Sequence, residues 1–290
     1  MISEDIKATP GSSNQVIDSN PASADNGNRA FVYKLVIAYD GTAFSGFQSQ
    51  ANPKLLPTIQ DIVEQKLSWV FACPISIRVS GRTDAGVHAL GQVLSFRTTV
   101  KRKPEILLNA LKKLLPNTIE VLSVTLESER FHARFTARAR EYEYLIKDNS
   151  DVDPFFRDRI LYVKHKLNIE AMRQGASYLL GSHNFASFGS QVPKDEPTVR
   201  RMLSITFAED YVTGPGPFAR VGRLIILRIK ANAFLRRMVR MICGALIKVG
   251  SGQWPPEKIG EVLEKADPRF CPPPASPGGL YFKNVDFTQD

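Results

Sequence analysis

The sequence predicts an α+β protein of two fused ferredoxin-like half-domains, with a basic cleft between them. Three observations carry this. Short β-branched or alternating apolar runs recur along the chain with the spacing of strands. Amphipathic stripes with apolar residues three and four apart lie between them. The resulting order, β-α-β-β-α-β, is the split βαβ pattern, and it occurs twice within 290 residues.

The first copy opens on Phe31–Tyr39, whose β-branched and aromatic residues read as a buried strand. Thr58 with Asp61 three residues later resembles a capping box, and Ile59, Ile62, Val63, Leu67 and Val70 then fall on one helical stripe. Ile75, Ile77 and Val79 alternate with Ser76 and Arg78, which is strand spacing. Residues 92–98 form a further strand candidate. Leu107, Leu108, Leu111, Leu114 and Leu115 mark a helix that Pro116 ends, and residues 119–126 complete the set.

The second copy begins at residues 141–147, where Tyr142, Tyr144 and Ile146 share a face. Ile169, Met172, Ala176, Leu179 and Leu180 predict a helix closed by Gly181. Residues 202–207 and 224–229 are two strands. Leu235, Met238, Val239, Ile242 and Leu246 predict a helix that ends near Gly250, and a short helix follows over residues 256–266. Residues 280–287 can close the sheet. The duplication is one of element order, with no residue-by-residue repeat.

These elements divide the chain into a disordered tail (1–29), an N-terminal catalytic half-domain (30–136) and a C-terminal half-domain (137–290). The tail is rich in Ser, Asn, Ala, Asp and Pro and has too few large apolar side chains to offset the entropy of ordering it. It lacks the apolar core of a signal peptide, and its acids outnumber its bases, unlike a transit peptide. No run approaches the roughly 20 apolar residues that cross a bilayer. The expected setting is the cytoplasm.

The chain carries a formal charge of +9, and the acidic balance of the tail makes the remainder more basic still. A body that basic commonly meets a polyanion, although many basic proteins simply solvate their lysines. Cys73, Cys243 and Cys271 are too few and too far apart for a disulfide framework or a zinc site. His88, His132, His165 and His183 show no metal-ligand spacing, and the Walker loop, the GxSxG elbow and the GxGxxG fingerprint are all missing. These gaps count against nucleotide hydrolysis, zinc proteolysis and serine esterase chemistry.

Chemistry is concentrated in three places. Ser80-Gly81-Arg82-Thr83-Asp84-Ala85-Gly86-Val87-His88 sets a guanidinium and a carboxylate two residues apart between flanking glycines that allow close approach of a ligand. Alone, such a loop fits a solvated turn with a surface ion pair equally well. From residue 130 to 140 the chain holds Arg130, Arg134, Arg138 and Arg140 with no acid, interleaved with Phe131 and Phe135. That composition suits phosphate contacts beside base stacking, though each arginine singly could pair with an acid elsewhere. Arg236, Arg237 and Arg240 form a third cluster, placed on the helix after Phe234 and offset from its apolar stripe.

Together these residues resemble the TruA-type tRNA pseudouridine synthases. The segments that match are Tyr39-Asp40-Gly41, Phe44-Ser45-Gly46-Phe47-Gln48, the loop from Gly81 to His88, Phe131-His132-Ala133-Arg134-Phe135 and Tyr142-Glu143-Tyr144. They continue with Lys230-Ala231-Asn232-Ala233-Phe234, Met238-Val239-Arg240 and Gly279-Leu280-Tyr281, all in the family's order. The chain departs in its polar tail and in Phe47, where many members have Trp.

The resemblance implies isomerisation of uridine to pseudouridine at positions 38, 39 and 40 of the tRNA anticodon stem-loop, by a homodimer that needs no metal, nucleotide or redox cofactor. Asp84 falls on the family's catalytic aspartate. Such a carboxylate can attack C1′ of the ribose, attack C6 of the base, or remove the C2′ proton, and the residues do not choose among these. Arg82 matches an arginine that enters the RNA helix and holds the flipped nucleotide out, and Tyr142 an aromatic that stacks on the uracil. Arg240 matches an arginine paired with the aspartate, and Leu280 a residue lining the pocket. His88 and Asp40 read as loop structure, the remaining basic residues as a diffuse phosphate footprint. Two other readings are a catalytically silent RNA-binding protein, which would gain nothing from Asp84, and a metal-dependent nuclease using Asp40 with Asp84.

Overall fold

The computed structural model describes residues 30–50, 55–149, 152–193, 195–212 and 222–287. The segment read as a disordered tail, residues 1–29, lies outside the described residues. The strands are β1 (Phe31–Tyr39), β2 (Arg78–Val79), β3 (His88–Thr98), β4 (Ile119–Glu127), β5 (Ala137–Asp148), β6 (Leu161–Val163), β7 (Gly181–Asn184), β8 (Val199–Val212), β9 (Gly222–Ala231) and β10 (Leu280–Phe287). The helices are α1 (Ile59–Phe71), α2 (Pro104–Leu114), α3 (Ile169–Ser177), α4 (Met238–Gly250) and α5 (Lys258–Lys265).

All ten strands among the described residues belong to one sheet of order β4-β1-β3-β10-β5-β9-β8-β7, with β2 on β3 and β6 on β5. The predicted α+β class is what the structure shows. Its spatial order also repeats. Strands β4, β1, β3 and β2 are neighbours in that sequence, and β10, β5, β9 and β8 stand in the same relation. One buried apolar cluster reaches from Tyr33 on β1 to Phe282 on β10 and takes in Leu67 of α1, Leu111 of α2, Met172 of α3 and Ile242 of α4.

Local signals read from the sequence recur as contacts. Thr58 caps α1, accepting from the Asp61 N–H at 3.2 Å while its hydroxyl donates to Asp61 Oδ2 at 2.6 Å. The alternation at Ile75, Ile77 and Val79 is real in burial, yet only Arg78 and Val79 enter the ladder. The reason is that α1 supplies the partners: the Ile75 N–H donates to Ser68 Oγ and the Ile77 N–H to Glu64 Oε1. The basic cluster expected on one helix is also split. Arg237 takes a left-handed φ of 60° at the N-cap of α4, so Arg236 and Arg237 precede the helix and only Arg240 lies within it.

One junction in this sheet creates the site. Strand β2 covers β3 at Leu94 and Ser95, and the Ser80 N–H adds a last bond to Val93 O at 2.9 Å. Further along, β10 takes over the same edge in parallel, beside His88 and Ala89. The chain after Ser80 therefore cannot continue as a strand and leaves the sheet as a loop that returns at His88.

Candidate active site

The loop is tied down at nearly every carbonyl before Asp84. Ser80 O accepts from Arg140 Nε at 3.0 Å, Gly81 O from Gln92 Nε2 at 2.7 Å and Thr83 O from the Phe47 N–H at 3.0 Å. Gln92 is fully buried on β3, and its Oε1 also accepts from the Ser80 hydroxyl. Thr83 Oγ1 lies 2.7 Å from the Tyr39 hydroxyl, whose pKa burial pushes up to about 12. A tight turn then closes from the Val87 N–H to Asp84 O at 3.1 Å, with Gly86 at φ +77°. Gly81 serves by size, since a Cβ there would sit 2.8 Å from Phe282 Cε2 and 3.5 Å from the Tyr142 hydroxyl oxygen.

Asp84 is thereby presented to α4. Arg240 Nη1 donates to Asp84 Oδ2 at 2.9 Å, and Arg240 Nε to Ala275 O at 2.8 Å. The Ala275 N–H returns a bond to Arg240 O, which fixes the start of the helix against the segment leading into β10. The arginine side chain is 13% exposed and the aspartate 27%. Asp84 Oδ1 has no hydrogen-bond partner among the described residues, so one carboxylate oxygen is held and the other is available for chemistry.

Tyr142 stands beside this pair on β5. Its ring meets Phe234 and Phe282 edge-on, with centroids 5.0 and 5.2 Å away. Burial raises its pKa far above the usual phenol value, with Tyr39 and Asp84 adding to the effect, so the side chain stays neutral. Tyr144, on the same face, is also buried, and its hydroxyl donates to Ser276 O. Leu280 pairs across the ladder with Tyr144 and is 3% exposed, a place in the core beneath the site.

Arg82 is exposed and lies near the Arg134 cation. It makes no hydrogen bond among the described residues, and burial together with the neighbouring Arg134 cation lowers its pKa, partly offset by Glu196. Arg134 and Phe135 lie on a turn capped by His132, whose Nδ1 accepts from both of their N–H groups at 3.1 and 3.2 Å. Phe135 is 75% exposed, whereas Phe131 is buried against Phe287. The structure thus brings Asp84, Arg240 and Tyr142 together, sets Arg82 beside the Arg134 turn, and puts Leu280 underneath.

Asp40 and His88 hold structure. Asp40 Oδ1 accepts from the Thr42 N–H and hydroxyl, and Oδ2 pairs with Arg159. Burial opposes these bonds and charges, which nevertheless hold the Asp40 carboxyl below its usual pKa. His88 accepts from the Gly41 N–H at Nδ1, so its Nε2 carries the proton facing Asp158 O and Gly278 O. Asp40 is therefore engaged by Thr42 and Arg159, and no group of three or more potential metal ligands occurs among the described residues. Gln92 and Arg140 were missed as site residues by sequence reasoning, which saw a strand residue and one more phosphate-binding arginine.

Comparison with known proteins gives the family. A family model described as tRNA pseudouridine synthase matches residues 35–136 and 176–288. A tRNA pseudouridine synthase A from Methylacidiphilum infernorum is 37% identical over 260 residues, 89% of this chain and 96% of the relative. The proteins of the same name from an Exiguobacterium species and from Thermosipho melanesiensis are 39% and 40% identical over 88% of this chain, and 97% and 99% of their own lengths. On this family match and these relatives, the chain belongs to the tRNA pseudouridine synthases, a family of RNA-modifying isomerases.

Proposed function

We propose that this enzyme isomerises uridine to pseudouridine at positions 38, 39 and 40 of the tRNA anticodon stem-loop, with Asp84 as the reacting carboxylate and no cofactor. The observation that carries it is the state of Asp84: one oxygen held by Arg240 at 2.9 Å, the other unpartnered, beside a neutral aromatic ring. The reaction breaks the N1–C1′ bond and forms a C5–C1′ bond; C5 gives up a proton and N1 gains one. Substrate and product are isomers, so no co-reactant is consumed. Tyr142 would hold the detached uracil by stacking while it turns. Arg82, which makes no hydrogen bond among the described residues, would enter the helix in place of the flipped nucleotide, whose removal costs a few kcal/mol. The tRNA positions, a homodimeric assembly, a cytoplasmic setting and the division into two half-domains rest on the resemblance and the element order.

The test is pseudouridine formation in an unmodified tRNA with uridines at 38–40, without added metal, comparing wild type with Asp84→Ala. Product from wild type alone, with the variant still binding RNA, is the expected result. Binding without product from either protein would favour a silent RNA-binding role, and product from both would remove Asp84 from the chemistry.

A further inference from the structure

The guanidinium of Arg140 is spent on backbone carbonyls. Nε donates to Ser80 O at 3.0 Å, Nη1 to Asn232 O at 2.8 Å and Ala137 O at 3.2 Å, and Nη2 to Arg134 O at 2.7 Å. No carboxylate pairs with it among the described residues, and burial lowers its pKa, Arg134 adding to the effect. Its own backbone is fixed in the middle of the sheet, opposite Ala231 on β9 and Val285 on β10. Four carbonyl dipoles stand in for a counter-ion, and only a planar fork with five donors can reach all of them at once.

The carbonyls come from separate parts of the chain, and each part carries a piece of the site. Ser80 opens the loop that ends in Asp84. Arg134 belongs to the turn that presents Phe135. Asn232 precedes Phe234, whose ring lies against Tyr142. Arg140 is itself two residues before Tyr142 and on the same face of β5. We infer that Arg140 is a positioning residue: it sets the Asp84 loop, the Phe234 segment and the basic turn relative to one another around Tyr142, and does not bind RNA phosphate. This rests on the functional reading above.

Full-length wild type, Arg140→Lys and Arg140→Met are compared in pseudouridine formation on a stem-loop with uridines at 38–40, with RNA affinity and thermal unfolding measured on the same samples. A lysine keeps the charge but cannot span the carbonyls. The expected result is kcat lowered about tenfold to a hundredfold in both variants, as for a misplacement of about an ångström. KM and RNA affinity should change by less than about threefold, the signature of an interaction that matters in the transition state, with a cooperative thermal transition retained. Three results overturn the inference. Wild-type kcat in both variants would show that the clamp does not place the reacting groups. Weaker RNA binding with a shallower salt dependence and unchanged kcat would make Arg140 a phosphate contact. Loss of the cooperative transition in both would reduce it to a prop for the fold. Absence of product from wild type would sink the functional reading and this inference with it, whereas an active wild type beside equally active Arg140→Lys and Arg140→Met sinks the inference alone.

Discussion

Arg240 Nη1 lies 2.9 Å from Asp84 Oδ2, although the two residues are 156 positions apart in the chain. One comes from a loop ejected at the β2–β10 junction, the other from the first turn of α4. Asp84→Asn keeps the shape and removes the charge, and should lower kcat by at least about 10²–10⁴-fold, the range for a positioned acid or base. Arg240→Met should also lower kcat, and combining the two should cost little more than Asp84→Asn alone, because they act as a unit. Fully additive losses in single-turnover rates would show that the pair is not coupled.

Gly81→Ala tests the close approach of the loop to the sheet. The added methyl would stand 2.8 Å from a ring carbon of Phe282, which is fully buried, so the loop or the ring must shift. Overpacking of this kind typically destabilises by about 1–3 kcal/mol, so the urea midpoint should fall together with kcat. A variant of unchanged midpoint and activity would mean that the loop has room it is not seen to have.

His132 links pH to the basic turn. Its Nδ1 can accept from the Arg134 and Phe135 N–H groups only when unprotonated, and burial with the surrounding Arg78, Arg97 and Arg134 lowers its pKa. A lowered pKa means that the folded state disfavours the proton. Its contribution to stability is therefore present above the unfolded value of about 6.5 and is lost as pH falls through the lower folded value. His132→Asn supplies an acceptor that does not titrate. Wild type should lose stability relative to this variant as pH is lowered from neutral, and parallel urea midpoints at every pH would refute the cap.

The exposed turn should also separate charge from stacking. Arg134→Ala should make log affinity for RNA less steep in log salt by about 0.7–0.9 for each phosphate that Arg134 neutralises. Phe135→Ala should weaken binding by about 1–3 kcal/mol if a base stacks on the ring, with the slope unchanged. Filter binding across a salt series reads both, and equal slopes for wild type and Arg134→Ala would remove Arg134 from the phosphate path.

Much of this was written locally. Thr58 and Asp61 announced the start of α1, the spacing of Tyr142, Tyr144 and Ile146 announced a strand, and Asp84 with its glycines stood out once the family's other segments were seen in order. Local patterns also misled: Ile75 and Ile77 alternate like a ladder strand, but their N–H groups go to side chains of α1. Arg140 looked like its neighbours in a basic string, and nothing within ten residues of it says that its donors end on Ser80 and Asn232. Periodicity and capping residues record what a segment needs from its immediate surroundings, so the sequence by itself determined most of the elements, their class and the residue types of the site, though not that α3 stops at Ser177 and Gly181 opens a strand. The resemblance already pointed to Arg240 as the partner of the carboxylate, whereas the spending of Arg140 on carbonyls depends on partners that only the order of the strands brings within about 3 Å, and that was decided by the tertiary structure.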